Sequence, residues 1–437
     1  MRLEKLVDLA AVAVPCPYCD ADLSPASVRV AGLAIVVDAN CPGCGGEFAF
    51  DWPAGHALPH LALVDRKSGA VHADGSGWYV RRFTQCLNSE ETPLSAEITV
   101  SGSCRSGHEA ILVNCLDFLY SHVLLKLMSG PRHMRESPDD DIVVIVPRLL
   151  RWLVPRGAVV IEVDVPLEKG AEWVEGLDAT VEAVVAPAKT VRISPAVLHS
   201  EITERDLAQL GENLTPSSGT PDDSMPLQIG FCLRTDRLWL GHLPVWIRAA
   251  RRLLPPRYTH GLLLRRQSQN YARLARHVVD RHPDARFVAL GIGQPQGLPD
   301  YIDDLRTPGA IREESHWLDE YRRCRVVVGI HGANLLLPSL LAGAVVELLP
   351  TRRLRNITQD LIIPRESASE PKLVLFSHRI VPQECTLETV AAITTSMIED
   401  ASWHQRNMID NRRAYDRPGW LRPINWRPVT PKGTPRR

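Results

Sequence analysis

No stretch of this chain holds the roughly 18 to 20 consecutive apolar residues that a membrane helix needs, which excludes a helical membrane span. The N-terminal MRLEKLVDLAAVAVPC comes nearest, but Glu4 and Asp8 interrupt it and no small-residue cleavage site follows. It reads as the first element of the folded protein, with no leader or anchor, and the expected setting is cytoplasmic. An excess of charge is missing too. Lys and Arg number 50 against 51 Asp and Glu, and a net charge of −1 supplies no field to gather nucleic acid or anionic lipid. Arg248, Arg251 and Arg252 form a local cluster without interleaved aromatics, and read as the solvated face of a helix. A metal-binding acid pair at a strand end is also lacking, because Asp139-Asp140-Asp141 precedes a strand and reads as a polar loop.

What is present is a globular composition, 45% hydrophobic and 23% charged, in a chain of 437 residues that exceeds one ordinary core and implies two or three units. Four of the ten cysteines fall in two knuckles, Cys16-Pro-Tyr-Cys19 and Cys41-Pro-Gly-Cys44, with strand-forming residues from Val28 to Val37 between them. Each knuckle brings two thiolates to one ion, and four thiolates complete the tetrahedral shell of structural zinc. A disulfide pair or a redox dithiol is the alternative, disfavoured by the proline in each knuckle and the lack of a βαβ context. Such a site stabilises a small fold and does no chemistry. The remaining cysteines, Cys86, Cys104, Cys115, Cys232, Cys324 and Cys385, lie mostly in apolar runs and read as buried thiols.

The zinc ribbon is expected to fill residues 1–75, ending at the glycine cluster Asp74-Gly-Ser-Gly77. Residues 76–214 then read as α/β. Ala110–Val113, Ile142–Val146, Ala158–Val165 and Val181–Val185 are mostly apolar runs that read as strands covered on both faces, and Leu116–Met128 has the spacing of a helix. Asp117 and His122 lie on or near that helix. They are a candidate catalytic pair, or else Asp117 caps the helix and His122 sits on its solvated face. Residues 211–226 are polar and rich in Pro, Gly and Ser, the composition of a linker. Strand Leu227–Leu233 follows and runs into Arg234-Thr-Asp-Arg237. An arginine just past a strand end can fork two donors onto a diphosphate, so Arg234 is the preferred diphosphate partner and Arg237 the reserve, with an exposed loop arginine as the alternative. Strand Arg286–Leu290 meets the glycine loop Gly291–Gly297, which is expected to border the same cleft. Residues 215–370 make this second α/β unit, and 371–437 carry a helix from Leu387 to Met408 and a tail.

The stretch around which the rest is arranged is Arg325-Val-Val-Val-Gly-Ile-His331-Gly332-Ala333-Asn334-Leu-Leu-Leu-Pro338, followed by Ala344-Val-Val-Glu347-Leu-Leu-Pro350. It predicts a buried strand, a tight glycine turn, a short helix and a second buried strand ending in a carboxylate. A strand-to-helix turn carrying His331, Gly332, Ala333 and Asn334 is a seat for phosphate. Glu347 at the next strand end would accept ribose hydroxyls, or else pair with Arg352 or Arg353.

This string resembles the C-terminal signature of glycosyltransferase family 61, with the match covering about residues 320 to 362. It departs from the common pattern at Asn334, where glycine is usual, and at Leu336 and Leu337, where a Thr-Asn pair is usual. The resemblance implies a fold of two Rossmann-like domains in the GT-B manner, here preceded by the zinc ribbon. It implies an inverting enzyme, needing no catalytic metal, that moves a sugar from a nucleotide-sugar donor to an acceptor the residues do not name. A body of the same fold that has lost its chemistry, acting as a scaffold with a partner-docking ribbon, is the competing reading.

Overall fold

The computed structural model describes residues 1, 3–8, 13–52, 62–73, 77–195, 203–210, 214, 226–241, 256–293, 297–307, 314–356, 362 and 378–399. The expectations placed on the linker at 211–226 and on the arginine cluster at 248–252 lie essentially outside these residues, as does the part of the C-terminal helix and tail beyond 399.

Three sheets follow one another along the chain. In the first, β1 (Ser24–Val30), β2 (Ile35–Asn40), β3 (Glu47–Asp51), β4 (Ala62–Asp65) and β5 (Val71–Ala73) pair antiparallel in sequence order. Their alternation sends Val28, Val37, Phe48 and Phe50 to one face, where they share a core with Leu112, Ile161 and Val181. The opposite face, with Val36, Ala49 and Ala62, is covered by Phe83 and Leu87 of α1 (Gly77–Asn88). Backbone bonds join this sheet to the segment after it, from Leu33 N–H to the Gly170 carbonyl at 2.9 Å and from Val174 N–H to the Ala31 carbonyl at 2.7 Å. The cysteine-bearing sheet thus shares its core with the body.

The second sheet contains β6 (Ile98–Ser101), β7 (Glu109–Asn114), β8 (Asp141–Pro147), β9 (Val159–Val163) and β10 (Thr190–Ile193). Helices α2 (Tyr120–Leu127) and α3 (Ser129–Glu136) connect β7 to β8, and α4 (Leu177–Val185) precedes β10. The order is β10-β7-β8-β9-β6, parallel except for the antiparallel edge strand β6. Val181–Val185, expected as a strand, is the end of α4. A short apolar run carries no period of its own, and Leu177, Val181, Val184 and Val185 at helical spacing are all buried. A short α5 (Glu204–Gln209) is capped by Thr203 and Asp206 in a reciprocal capping box.

The third sheet is built from β11 (Gln228–Leu233), β12 (Arg286–Gly291), β13 (Ile302–Asp304), β14 (Cys324–Ile330), β15 (Val345–Leu349) and β16 (His378–Pro382). Between them run α6 (Pro256–Val279), α7 (Glu314–Arg323) and α8 (Leu336–Leu341). All its pairings are parallel, in the order β13-β12-β11-β14-β15-β16. Counted from β11, that is the doubly wound order 3-2-1-4-5-6, with the reversal between β11 and β14. One face packs on α6 and on a helix over 387–399 through Phe231, Tyr271, Leu274, Val328 and Val390. The other shares a continuous core with the second sheet, in which Leu124, Val144 and Leu150 meet Leu290, Trp317, Val327 and Leu341. Among the described residues no helix is long and apolar enough to cross a membrane.

Candidate functional site

The two cysteine knuckles fold alike. Asp20 N–H returns to the Cys16 carbonyl at 3.0 Å and Gly45 N–H to the Cys41 carbonyl at 2.9 Å, so each tight turn aims its two thiols the same way. All four sulfurs lie within 4.8 Å of one another, with Cys19 and Cys41 Sγ 3.3 Å apart and Cys16 and Cys44 Sγ 3.6 Å apart. These separations are far from a disulfide bond and close to the edge of a tetrahedral thiolate shell, about 3.7 Å for metal–sulfur bonds of about 2.3 Å. The Cys44 N–H points at Cys41 Sγ, and this backbone contact leads the influences that hold the Cys41 thiol below its ordinary range. The four cysteines can hold a metal ion.

The third sheet forms a cavity of about 290 Å³ at the carboxyl ends of β11, β12 and β14, where its strand order reverses. Leu233 and Arg234 continue β11 into it, Gly291 and Ile292 end β12 there, and Ala333 and Asn334 follow β14. Gly291 has φ +113, and a Cβ there would strike the Leu233 carbonyl. Gly332 has φ +152, and its missing side chain makes room for the Arg234 guanidinium. Arg234 donates to Asn334 Oδ1 at 2.9 Å and to both oxygens of Asp236 at 2.8 and 2.6 Å. Gln267 on α6 fixes this loop, donating to the Arg234 carbonyl at 2.8 Å and accepting from Trp239 N–H at 2.9 Å. Asn334 Nδ2 is buried and has no hydrogen-bond partner among the described residues. An unfilled donor beside a cation is a receptor for an anionic oxygen.

Glu314, Trp317 and Tyr321 of α7 close the other side of the cavity, together with Tyr120, which α2 brings from the second sheet. The Tyr120 hydroxyl donates to the Glu314 carboxylate. Burial pushes the Glu314 carboxyl up to about 7, against hydrogen bonds from Tyr120 and Tyr321 that pull it down. Glu314 carried no sequence signal, since nothing in its neighbours announces that a helix-starting acid will face a cavity. A second, larger cavity of about 770 Å³ is lined by Arg148, Arg151, Trp152 and Arg156 of the second sheet's connection, and by Ser315.

His331 and Glu347 lie behind the cavity wall. Glu347 stands in the middle of β15, paired with Gly329 and Ile380, because the strand continues to Leu349. It is fully buried, and its two oxygens meet His331 Nδ1 at 2.5 Å and His378 Nε2 at 2.6 Å. Burial pushes its carboxyl up, but the hydrogen bonds from both imidazoles outweigh this and hold it below the usual range. The expectations of a strand-end Glu347 open to ribose, or paired with Arg352 or Arg353, are therefore corrected. The oxygens meant for ribose hydroxyls are occupied by imidazole. The His331 ring likewise faces inward, while its carbonyl accepts from Arg237 Nη1 at 2.9 Å, so Arg237 braces the turn. Of the expected ligand residues, Arg234, Ala333 and Asn334 line the cavity, Gly332 packs beneath Arg234, and Arg237, His331 and Glu347 support them.

The Asp117–His122 pair does form, with His122 Nδ1 3.2 Å from Asp117 Oδ2, but in a setting the sequence did not announce. Lys126 Nζ lies 3.0 Å from the same oxygen, and all three residues are buried. The solvated-face reading of His122 is thus corrected. Burial raises the Asp117 carboxyl, and Lys126 and then His122 overcome it and bring it well below its ordinary range. Neither Asp117 nor His122 lines the cavity that Tyr120, on the same helix, reaches.

No family model and no curated protein sequence matches the chain. Solved structures similar to it include the Escherichia coli ADP-heptose lps heptosyltransferase II, at 12% identity and TM-score 0.38 over 68% of this chain and 99% of that one. A putative UDP-N-acetylglucosamine 2-epimerase from Listeria monocytogenes is similar at 10% identity and TM-score 0.31 over 68% and 89%. The Staphylococcus aureus MnaA-UDP co-structure is similar at 9% identity and TM-score 0.25 over 67% and 66%. By its own topology the chain is a mixed α/β protein with two largely parallel sheets of Rossmann-like order and a four-cysteine cluster ahead of them.

Proposed function

We propose that the protein is a glycosyltransferase of the family 61 type, binding a nucleotide-sugar donor at the strand reversal of the third sheet and an acceptor against the second. The observation that carries this reading is the cavity where β11 and β14 diverge, because an open parallel sheet binds ligands at that switch point. Arg234, Asn334 Nδ2 and the Gly332–Asn334 turn receive the diphosphate, and Arg237, His331 and Glu347 hold that turn in place. The fixed donors stabilise the negative charge that grows on the diphosphate as the sugar leaves, which supports direct inverting displacement by the acceptor. Asp117, His122 and Lys126 position α2 and with it Tyr120 at the junction. Cys16, Cys19, Cys41 and Cys44 hold zinc, which when bound cross-links the two knuckles and stabilises the first sheet.

A thermal-shift screen of nucleoside diphosphates and nucleotide sugars tests the donor site, since a ligand bound only to the native state raises the melting temperature by mass action. A shift with at least one nucleoside diphosphate, and release of that diphosphate from its sugar conjugate, is the expected result. Binding without release in the presence of varied acceptors would favour the scaffold reading, and no shift at all would remove the nucleotide from this cavity.

A further inference from the structure

Two cavities meet at the first turn of α7. Glu314 lines the switch-point cavity with Arg234 and Asn334, and the next residue, Ser315, lines the larger groove formed by Arg151, Trp152 and Arg156. Successive residues at the start of a helix point in different directions, so this turn forms part of the wall of both cavities. A donor held by its diphosphate at Arg234 and an acceptor lying in the groove along Trp152 would approach each other here. Glu314 is buried, and among the described residues no cation pairs with it. Its hydrogen-bond partners are the hydroxyls of Tyr120 and Tyr321. A buried carboxyl that faces a cavity and is held by two tyrosine hydroxyls is costly to ionise and is the chemistry expected of a group that exchanges a proton.

We propose that Glu314 is the catalytic base of the transfer, an assignment that rests on the donor reading given above. As the acceptor hydroxyl oxygen forms its bond to the anomeric carbon, the bond from that carbon to the diphosphate oxygen breaks. The electron pair leaves with the diphosphate at Arg234 and Asn334, and the hydroxyl proton passes to a Glu314 oxygen. The groups facing Glu314 are the hydroxyls of Tyr120 from α2 and Tyr321 from its own helix, and the Cys232 thiol of β11 lies close enough to feel its charge. Tyr120 makes the arrangement depend on both halves, because only their correct apposition supplies its hydrogen bond. A carboxyl whose burial lifts it to about 7 changes protonation near the pH of the cell, where a base combines the ionised form with sufficient basicity.

The test compares wild type, Glu314→Gln, Glu314→Asp and Tyr120→Phe in two assays. One measures binding of ADP, GDP and UDP by calorimetry, and the other measures nucleoside diphosphate release from ADP-glucose, GDP-mannose and UDP-glucose across pH 5 to 9. Glu314→Gln is expected to bind diphosphate within about threefold of wild type and to release it at least about 100-fold more slowly, the scale of a lost general base. The aspartate variant should recover part of that rate. Tyr120→Phe removes a hydrogen bond that favours the ionised carboxylate, so its acidic limb should move to higher pH, and this arm stands even if Glu314→Gln fails to fold. Release by a folded Glu314→Gln within about fivefold of wild type, or an acidic limb unmoved in Tyr120→Phe, would overturn the assignment while leaving the donor site intact. Absence of diphosphate binding by wild type would overturn the donor reading and this assignment with it.

Discussion

Arg234 donates to Asn334 Oδ1 at 2.9 Å, joining the loop after β11 to the turn after β14 across the point where the strand order of the third sheet reverses. The bond sets one guanidinium and one unfilled amide donor on the same cavity wall. Arg234→Ala is expected to weaken ADP, GDP or UDP binding by about 1.5–3 kcal/mol, the scale of a lost charge-assisted hydrogen bond. Calorimetric affinities unchanged from wild type would place the diphosphate elsewhere.

Asp236 is the competing anion. Its carboxylate forks onto Arg234 while its side chain is 59% exposed, so an incoming diphosphate can replace it. Asp236→Asn should tighten diphosphate binding by about 0.5–1 kcal/mol, the strength of a half-exposed ion pair. A weaker complex would mean that Asp236 itself touches the ligand.

Glu347→Gln is expected to lower stability by about 3–5 kcal/mol, because it disrupts a fully buried carboxylate set between His331 and His378. With the carboxyl depressed in the fold, its contribution is present above the ordinary value of 4.5 and is lost as pH falls through the lower folded value. Denaturant melts of both proteins at pH 4 and pH 7 measure this. Any preference for ribo- over 2′-deoxyribonucleotides should survive the substitution, and its disappearance would return Glu347 to the ribose.

Glu314 has the opposite sign. Its folded carboxyl lies near 7 against an ordinary 4.5, so the stability it contributes in the protonated state is lost as pH rises across that window, about 3 kcal/mol in all. Glu314→Gln should flatten this part of the stability curve. An equal fall in melting temperature between pH 5 and 8 in both proteins would show that the carboxyl is already ionised at pH 5.

One equivalent of zinc per chain is expected from elemental analysis of protein purified without added metal. Iron, or less than about half an equivalent of zinc, counts against the four-cysteine site. Because the first sheet shares its core with the second, Cys41→Ser should lower the stability of both together. Clean proteolytic release of residues 1–73 from an otherwise unchanged body would show that the shared core contributes little.

Much of the frame was legible beforehand. Strands β7, β8, β11, β12 and β14 were visible as continuous apolar runs, because a strand covered on both faces leaves little room for polar residues. The positions of Arg234 and of the His331–Asn334 turn at strand ends were visible from the glycine after an apolar strand, and the fold brings Arg234, Ala333 and Asn334 to one cavity. Val181–Val185 misled, since an apolar run of that length is the same in a buried strand and in the buried side of α4.

By itself the sequence determined the cysteine knuckles, the strands β7, β8, β11, β12 and β14 and the segments that end at the cavity, all of which are local properties of spacing and hydrophobic period. Tertiary structure alone decided which polar groups face the cavity. Whether Glu347 meets a ribose or two histidines depends on β16, placed beside β15 by a chain segment some thirty residues later. Whether Glu314 is a surface acid or a buried one depends on Tyr120, which is 194 residues away in the other half. A side chain's charge and reach are written in its chemistry, but its solvation and partners come from distant segments that the fold brings together.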